Sequence, residues 1–188
     1  MSEPLTRTDI VEAALGLLAG GGLHALAMRR IAAELGIQQS ALYWHFDNKQ
    51  QLLSAVADQI VAPVHPVEQG SWSSRIIALS ARLRRALLAY PDGAELVAAA
   101  IAFRLGAQRP FQLFAGILAD AGLGRDDAEI AASVLVHFTL GFTADEQQHH
   151  QAAALGAIMP DPADPSSADD RFGRGVNLIV LGLTSQLA

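Results

Sequence analysis

The stretch Ala27–Lys49, AMRRIAAELGIQQSALYWHFDNK, constrains this chain more than any other. Ile31, Ala32 and Leu35 fall on one side of a short helix at helical spacing. Gly36 supplies the left-handed residue that commonly ends a helix. The pattern predicts a second helix over Gln39–His45, burying Leu42 and setting Gln39, Ser40, Tyr43 and Lys49 on the other side. Helix, glycine-containing turn and helix together form the helix-turn-helix signature, whose second helix can lie in the major groove of DNA.

The flanking sequence is helical by the same criteria. After a frayed tail over Met1–Leu5, Thr6 or Thr8 can cap a helix running to about Ala19. Asp47 can cap a longer helix, Asn48–Val61, which Pro63 and Pro66 then interrupt. Further helices are expected at Trp72–Tyr90 behind Ser71, from Asp92 to about Leu105, at Pro110–Ala121 and at Asp126–His150. MPDPADPSSADD has loop composition, and Arg171–Leu187 closes the chain with a stripe of Phe172, Val176, Ile179, Val180 and Leu183. No segment has the two-residue period of a strand. The expected class is all-α, with a three-helix helix-turn-helix domain over 1–47, a linking helix and boundary over 48–66, and a larger helical domain over 67–188.

Composition narrows the possible functions. Half the residues are hydrophobic (51%), enough for a real core, and no apolar run approaches a membrane span. Neither a secretory leader nor a membrane partner is expected, and a cytoplasmic location fits. With no cysteine, disulfides and thiolate metal sites are excluded. A net charge of −6 argues against general nucleic-acid affinity, and the first fifty residues offer only Arg7, Arg29, Arg30 and Lys49 as cations. DNA binding by such a chain depends on dimerisation and hydrogen bonds as well as on charge.

The run IAAELGI followed by LYWHFDNKQQLL resembles the DNA-binding domain of the tetracycline-repressor (TetR) family of bacterial transcription factors. Three further segments, SW–ALLAYPDGAELV (71–97), HFTLGFTADEQQHHQ (137–151) and NLIVLGLTSQL (177–187), resemble the tetracycline repressors within that family. The resemblance implies a larger C-terminal domain that binds a small molecule and dimerises through a four-helix bundle. The helices matching 126–150 and 171–187 would pair there with their copies. It also implies DNA contacts by position. Arg29 and Gln39 match base-reading residues, a guanidinium fork suited to guanine and an amide suited to adenine. Tyr43, His45 and Lys49 match phosphate-facing positions, Ser40 and Trp44 are further candidates, and Trp44 can instead pack between helices. Arg7 and Thr8 can touch phosphate as well. Ala27–Met28 replaces the Thr or Ser usual at the start of the first motif helix, which implies a different operator.

The implied effector site is altered. His65, His137 and Asp145 keep polar side chains at ligand-contacting positions, Asp145 standing for a Glu. Leu79, Leu83 and Phe114 stand where those repressors carry Asn, Phe and Gln. Val97 stands where they carry the magnesium-binding histidine, and valine has no lone pair to offer a hard cation. The magnesium–tetracycline chelate is therefore not expected, and neither is any other cofactor or metal. The effector expected is small and mainly apolar, oriented by one or two imidazoles. Taken alone, His137 on an apolar helix face can equally be a satisfied core histidine, and His65 between prolines a loop residue. His149 and His150 point apart on a helix and read as solvated.

The leading expectation is a homodimeric repressor, released from a palindromic operator by that effector. A regulator controlled by a protein partner, without a small ligand, is one alternative. An enzyme using His65, His137 and Asp145 is another, although no metalloprotease, nucleophile-elbow, phosphate-loop or dinucleotide motif is present.

Overall fold

A computed structural model describes residues 4–159 and 165–187. Among them every regular element is helical, and no helix is long and apolar enough to cross a membrane. The expectations over 1–3 and 160–164, part of the frayed tail and of the loop, lie outside the described residues.

Helix α1 (Arg7–Gly21) opens on a complete capping box at Thr6. The Thr6 hydroxyl accepts the Asp9 N–H at 3.2 Å, and the Asp9 carboxylate accepts the Thr6 hydroxyl and N–H, each at 2.7 Å. These bonds, the hydroxyl's first, hold the Asp9 carboxyl below its ordinary value. A 3₁₀ turn at Leu23–Ala25 carries the chain into α2 (Met28–Glu34), and Gly36 (φ +66°) turns it toward α3 (Gln39–Leu42). Ile10, Ala14, Leu18, Leu26, Ile31, Leu42 and Phe46 close the small core of this unit.

Ala27 adopts the extended cap conformation (φ −84°, ψ 135°) ahead of α2 but offers no side-chain acceptor. Ala27→Thr is therefore expected to stabilise the fold by about 0.5–1 kcal/mol. A higher urea midpoint at unchanged slope is the expected readout; an unchanged or lower midpoint would show that the backbone donors here are already satisfied.

Helix α4 (Lys49–Val61) is capped by Asn48, whose Oδ1 accepts the Gln51 N–H at 2.9 Å. Asp47, expected as the cap, lies one residue too early and takes the Gln51 side-chain amide instead. Leu52, Val56, Ala57, Ile60 and Val61 are buried, and α4 packs on α1, α5 and α6. The remaining helices are α5 (Trp72–Leu88), α6 (Gly93–Ala102), α7 (Arg109–Asp120), α8 (Arg125–Ala154) and α9 (Pro165–Leu187). α7 lies along α8, and α5 is wedged among α7, α8 and α9.

Four expectations change. α6 stops at Ala102, three residues early, because Arg104 and Ala107 take positive φ in the turn to α7. α8 runs past His150 to Ala154. α9 begins at Pro165, inside the stretch read as loop, since proline is tolerated in a helix's first turn. The fourth concerns the α9 stripe. Phe172, Val176, Val180 and Leu183 are buried within the chain, so most of that stripe serves its own core. A different set stays exposed: Ile130 and Val134 on α8, Leu178 (70%) and Leu181 (67%) on α9.

Candidate nucleic-acid interface and effector region

Helix α3 positions the candidate DNA contacts. Leu42, with no exposed surface, anchors it, and beyond Leu42 the backbone tightens through i−3 bonds from Tyr43, Trp44 and His45. The regular helix is thus four residues long, shorter than the Gln39–His45 span expected. Gln39, Ser40 and Tyr43 are exposed, and the Gln39 amide donates to the Tyr43 hydroxyl at 3.5 Å, so the two side chains lean together. Trp44 is 89% exposed, which rules out its packing between helices in this chain. Arg29 on α2 and Lys49 at the start of α4 are exposed, and His45 is half-buried.

Arg7 has work that its sequence position did not reveal. Its Nη1 donates to the His45 carbonyl at 2.5 Å, and its guanidinium lies 4.1 Å from the centre of the Phe46 ring. It braces the end of the motif against α1, holding the segment that carries Tyr43 and Trp44.

The expected effector residues separate into two groups. Leu79, Leu83 and Phe114 have no exposed surface and Val97 only 1%, so almost no water-sized space touches them. His65, His137 and Asp145 are exposed. An effector reaching the apolar four must displace packed side chains first. His137 is no core histidine either. Its Nδ1–H donates to the Ser133 carbonyl at 2.7 Å, which leaves Nε2 free, and its ring stands edge-on to Phe111 at 5.8 Å. Beside it a groove of about 380 Å³ between α7 and α8 is lined by residues that include Gln108, Phe111, Gln112, Ala115, Glu129 and Ser133.

Two polar junctions tie this region to α4 and to the segment just after it. The Asp58 carboxylate accepts the Ala107 N–H at 2.6 Å, and Arg109 Nε donates to the Val64 carbonyl at 3.1 Å. Gln108, between them, lines the groove. A third junction joins the two halves at Asp92. That residue has left-handed backbone (φ 57°) and makes no cap for α6, contrary to expectation. Its carboxylate instead accepts the Leu23 N–H at 2.8 Å from the DNA-binding unit and the Gln151 amide from α8. Gln147, one turn earlier on α8, bonds the carbonyls of Leu87 and Tyr90 and the Ala94 N–H.

Residues 10–56 match the family model described as bacterial regulatory proteins, tetR family, and residues 65–166 match that of the tetracyclin repressor-like C-terminal domain. The class A tetracycline repressor from transposon 1721 of Escherichia coli is 34% identical over 97% of this chain and 92% of its own length. This chain belongs to the TetR family. Among solved structures, Mycobacterium smegmatis BioQ superposes with a TM-score of 0.88 at 36% identity, covering 97% of this chain and 99% of that one. BioQ with its natural double-stranded DNA operator superposes at 0.81, with 35% identity and the same coverage. TetR-family membership makes the chain a DNA-binding transcription regulator with a helical C-terminal domain.

Proposed function

We propose that the chain is a homodimeric repressor that binds a palindromic operator and releases it when a small, mainly apolar molecule enters the C-terminal domain. The observation that carries the reading is α3, where Gln39, Ser40 and Tyr43 stand exposed over a fully buried Leu42. A carboxamide there can pair with an adenine edge, and Arg29 can fork to guanine or phosphate. Tyr43, Trp44, His45 and Lys49 would hold the backbone. The solved complex of BioQ with its operator, so similar over nearly the whole chain, supports the same docking. The exposed apolar residues of α8 and α9 would meet their copies in a partner subunit.

Release follows from geometry. Half-sites in successive major grooves lie about 34–36 Å apart, so a small swing of α4 in each subunit abolishes simultaneous docking. An effector at the α7–α8 groove, contacting Phe111 and His137, would press on the segment whose Ala107 is bonded to α4 and whose Arg109 is bonded to Val64 just beyond it. No cofactor enters this reading, no turnover is ascribed to His65, His137 or Asp145, and the setting is the cytoplasm.

Selection of bound duplexes from a random pool tests the proposal. A palindrome should be enriched, and Gln39→Ala should relax preference at one symmetric pair of positions, costing about 1–3 kcal/mol of discrimination. Failure to enrich any sequence, from apo protein confirmed dimeric, would overturn it.

A further inference from the structure

The chain is acidic overall, yet the groove between α4 and α5 has the opposite character. It measures about 360 Å³, inside the range of small-molecule sites. Its apolar wall is Ile60 from α4 with Ala86 from α5 and Ala89 just past the end of α5. Its polar lining consists of Arg82, Arg85, Gln59 and Tyr90, with no carboxylate among them. Arg82 Nη1 donates to the carbonyls of His65 and Pro66 at 3.0 and 2.7 Å, which fixes the guanidinium beside the groove without neutralising it. Arg85 is exposed and forms no ion pair among the described residues.

Operator phosphates do not account for these cations. Gln59 lies ten residues along α4 from Lys49, about 15 Å at the helical rise, so the groove opens far from the end of α4 that follows the DNA-binding motif. One guanidinium held in place (Arg82) and one exposed beside it (Arg85), over an apolar wall, call for a ligand with an anionic head and a short apolar body. We propose that this groove is a second small-molecule site, for an amphipathic oxyanion. Arg82 and Arg85 take the carboxylate or phosphate, with Gln59 and Tyr90 beside it, and Ile60, Ala86 and Ala89 receive the chain. An occupant bridging α4 and α5 favours one spacing of those helices, and so biases the position of the linking helix independently of the α7–α8 groove.

Calorimetric titration of the full chain without DNA tests the site apart from the operator reading. The probes are octanoate and octyl phosphate, with octanol and inorganic phosphate as halves of the same chemistry. At least one amphiphile should bind in the submillimolar range, and the stronger of the two identifies the head group. Either half alone should bind about tenfold more weakly or worse. Arg85→Glu, at an exposed position, should weaken binding by a similar factor with an unchanged melting temperature. Ala89→Trp, which fills the groove from another exposed position, should do the same. The proposal is overturned if neither amphiphile binds at millimolar concentration. It is equally overturned if both bind Arg85→Glu and Ala89→Trp as tightly as the wild type, which would move the binding elsewhere.

Discussion

Arg84→Met is expected to destabilise the fold by about 3–5 kcal/mol, the largest single-residue effect outside the apolar core. Arg84 lies between α5, α8 and α9, its side chain 9% exposed and that of Glu146 12%. Its Nε and Nη2 bond both oxygens of Glu146 at 2.9–3.2 Å, Nη1 bonds Asp169 at 2.5 Å, and the guanidinium stands 5.2 Å from the Phe172 ring centre. Desolvating both charges costs much of what their attraction returns, so the intact pair adds little net stability. Removing one member is different, because Glu146 then stays buried with no counter-charge. The double variant Arg84→Met, Glu146→Gln should consequently recover most of the loss. Urea unfolding at fixed protein concentration measures both. A single variant that loses less than about 1 kcal/mol would mean that water reaches the pair and screens it.

Leu178→Glu combined with Leu181→Glu should convert the proposed dimer to a folded monomer and weaken operator binding by about 10²–10⁴-fold. Both leucines are exposed on α9, and Ile130 and Val134 are exposed on α8. A groove of about 220 Å³ between the two helices is lined by Ile130, Val134, Ile179 and Leu183. Large apolar side chains gathered in this way on two packed helices signal a covered surface. Carboxylates there would be desolvated on association, whereas the monomer keeps its core because Val176, Val180 and Leu183 face inward. Sedimentation reads the mass, circular dichroism the helices, and titration of full and half operators separates lost avidity from damage to the motif. A variant that remains dimeric would place the subunit contact on another surface.

The helices were largely legible in the sequence because amphipathic periodicity and caps are local. Thr6, Ser71 and Gly36 act where their neighbours alone require them to. What escaped was tertiary. Asp92 has the ideal place and chemistry for a cap, but a donor distant in sequence competes for its carboxylate and wins. Arg84 and Glu146 read as ordinary helix charges, since nothing local tells a buried charge from a solvated one. The α9 stripe was visible, but which of two apolar faces turns inward depends on what α5 and α8 present. The candidate DNA contacts were easier to read than the candidate effector residues, because a short exposed helix displays its side chains directly. Leu79, Leu83, Val97 and Phe114 are packed with almost no exposed surface, and no single position in the sequence reveals that packing.

The bond from Asp92 to Leu23 bears on engineering. TetR-type regulators invite cutting and rejoining, with the reading head of one chain grafted to the sensing body of another. Here the graft would sever an acceptor on one side from its donor on the other. Gly22, at φ +63°, packs so closely against the Asp92 carboxylate that a side chain there would collide with it. Gly22 and Asp92 therefore form a matched lock and key within one polypeptide. A chimera joined after residue 47 inherits only half of that match, and should transmit its signal faithfully only when both parents carry the same pair.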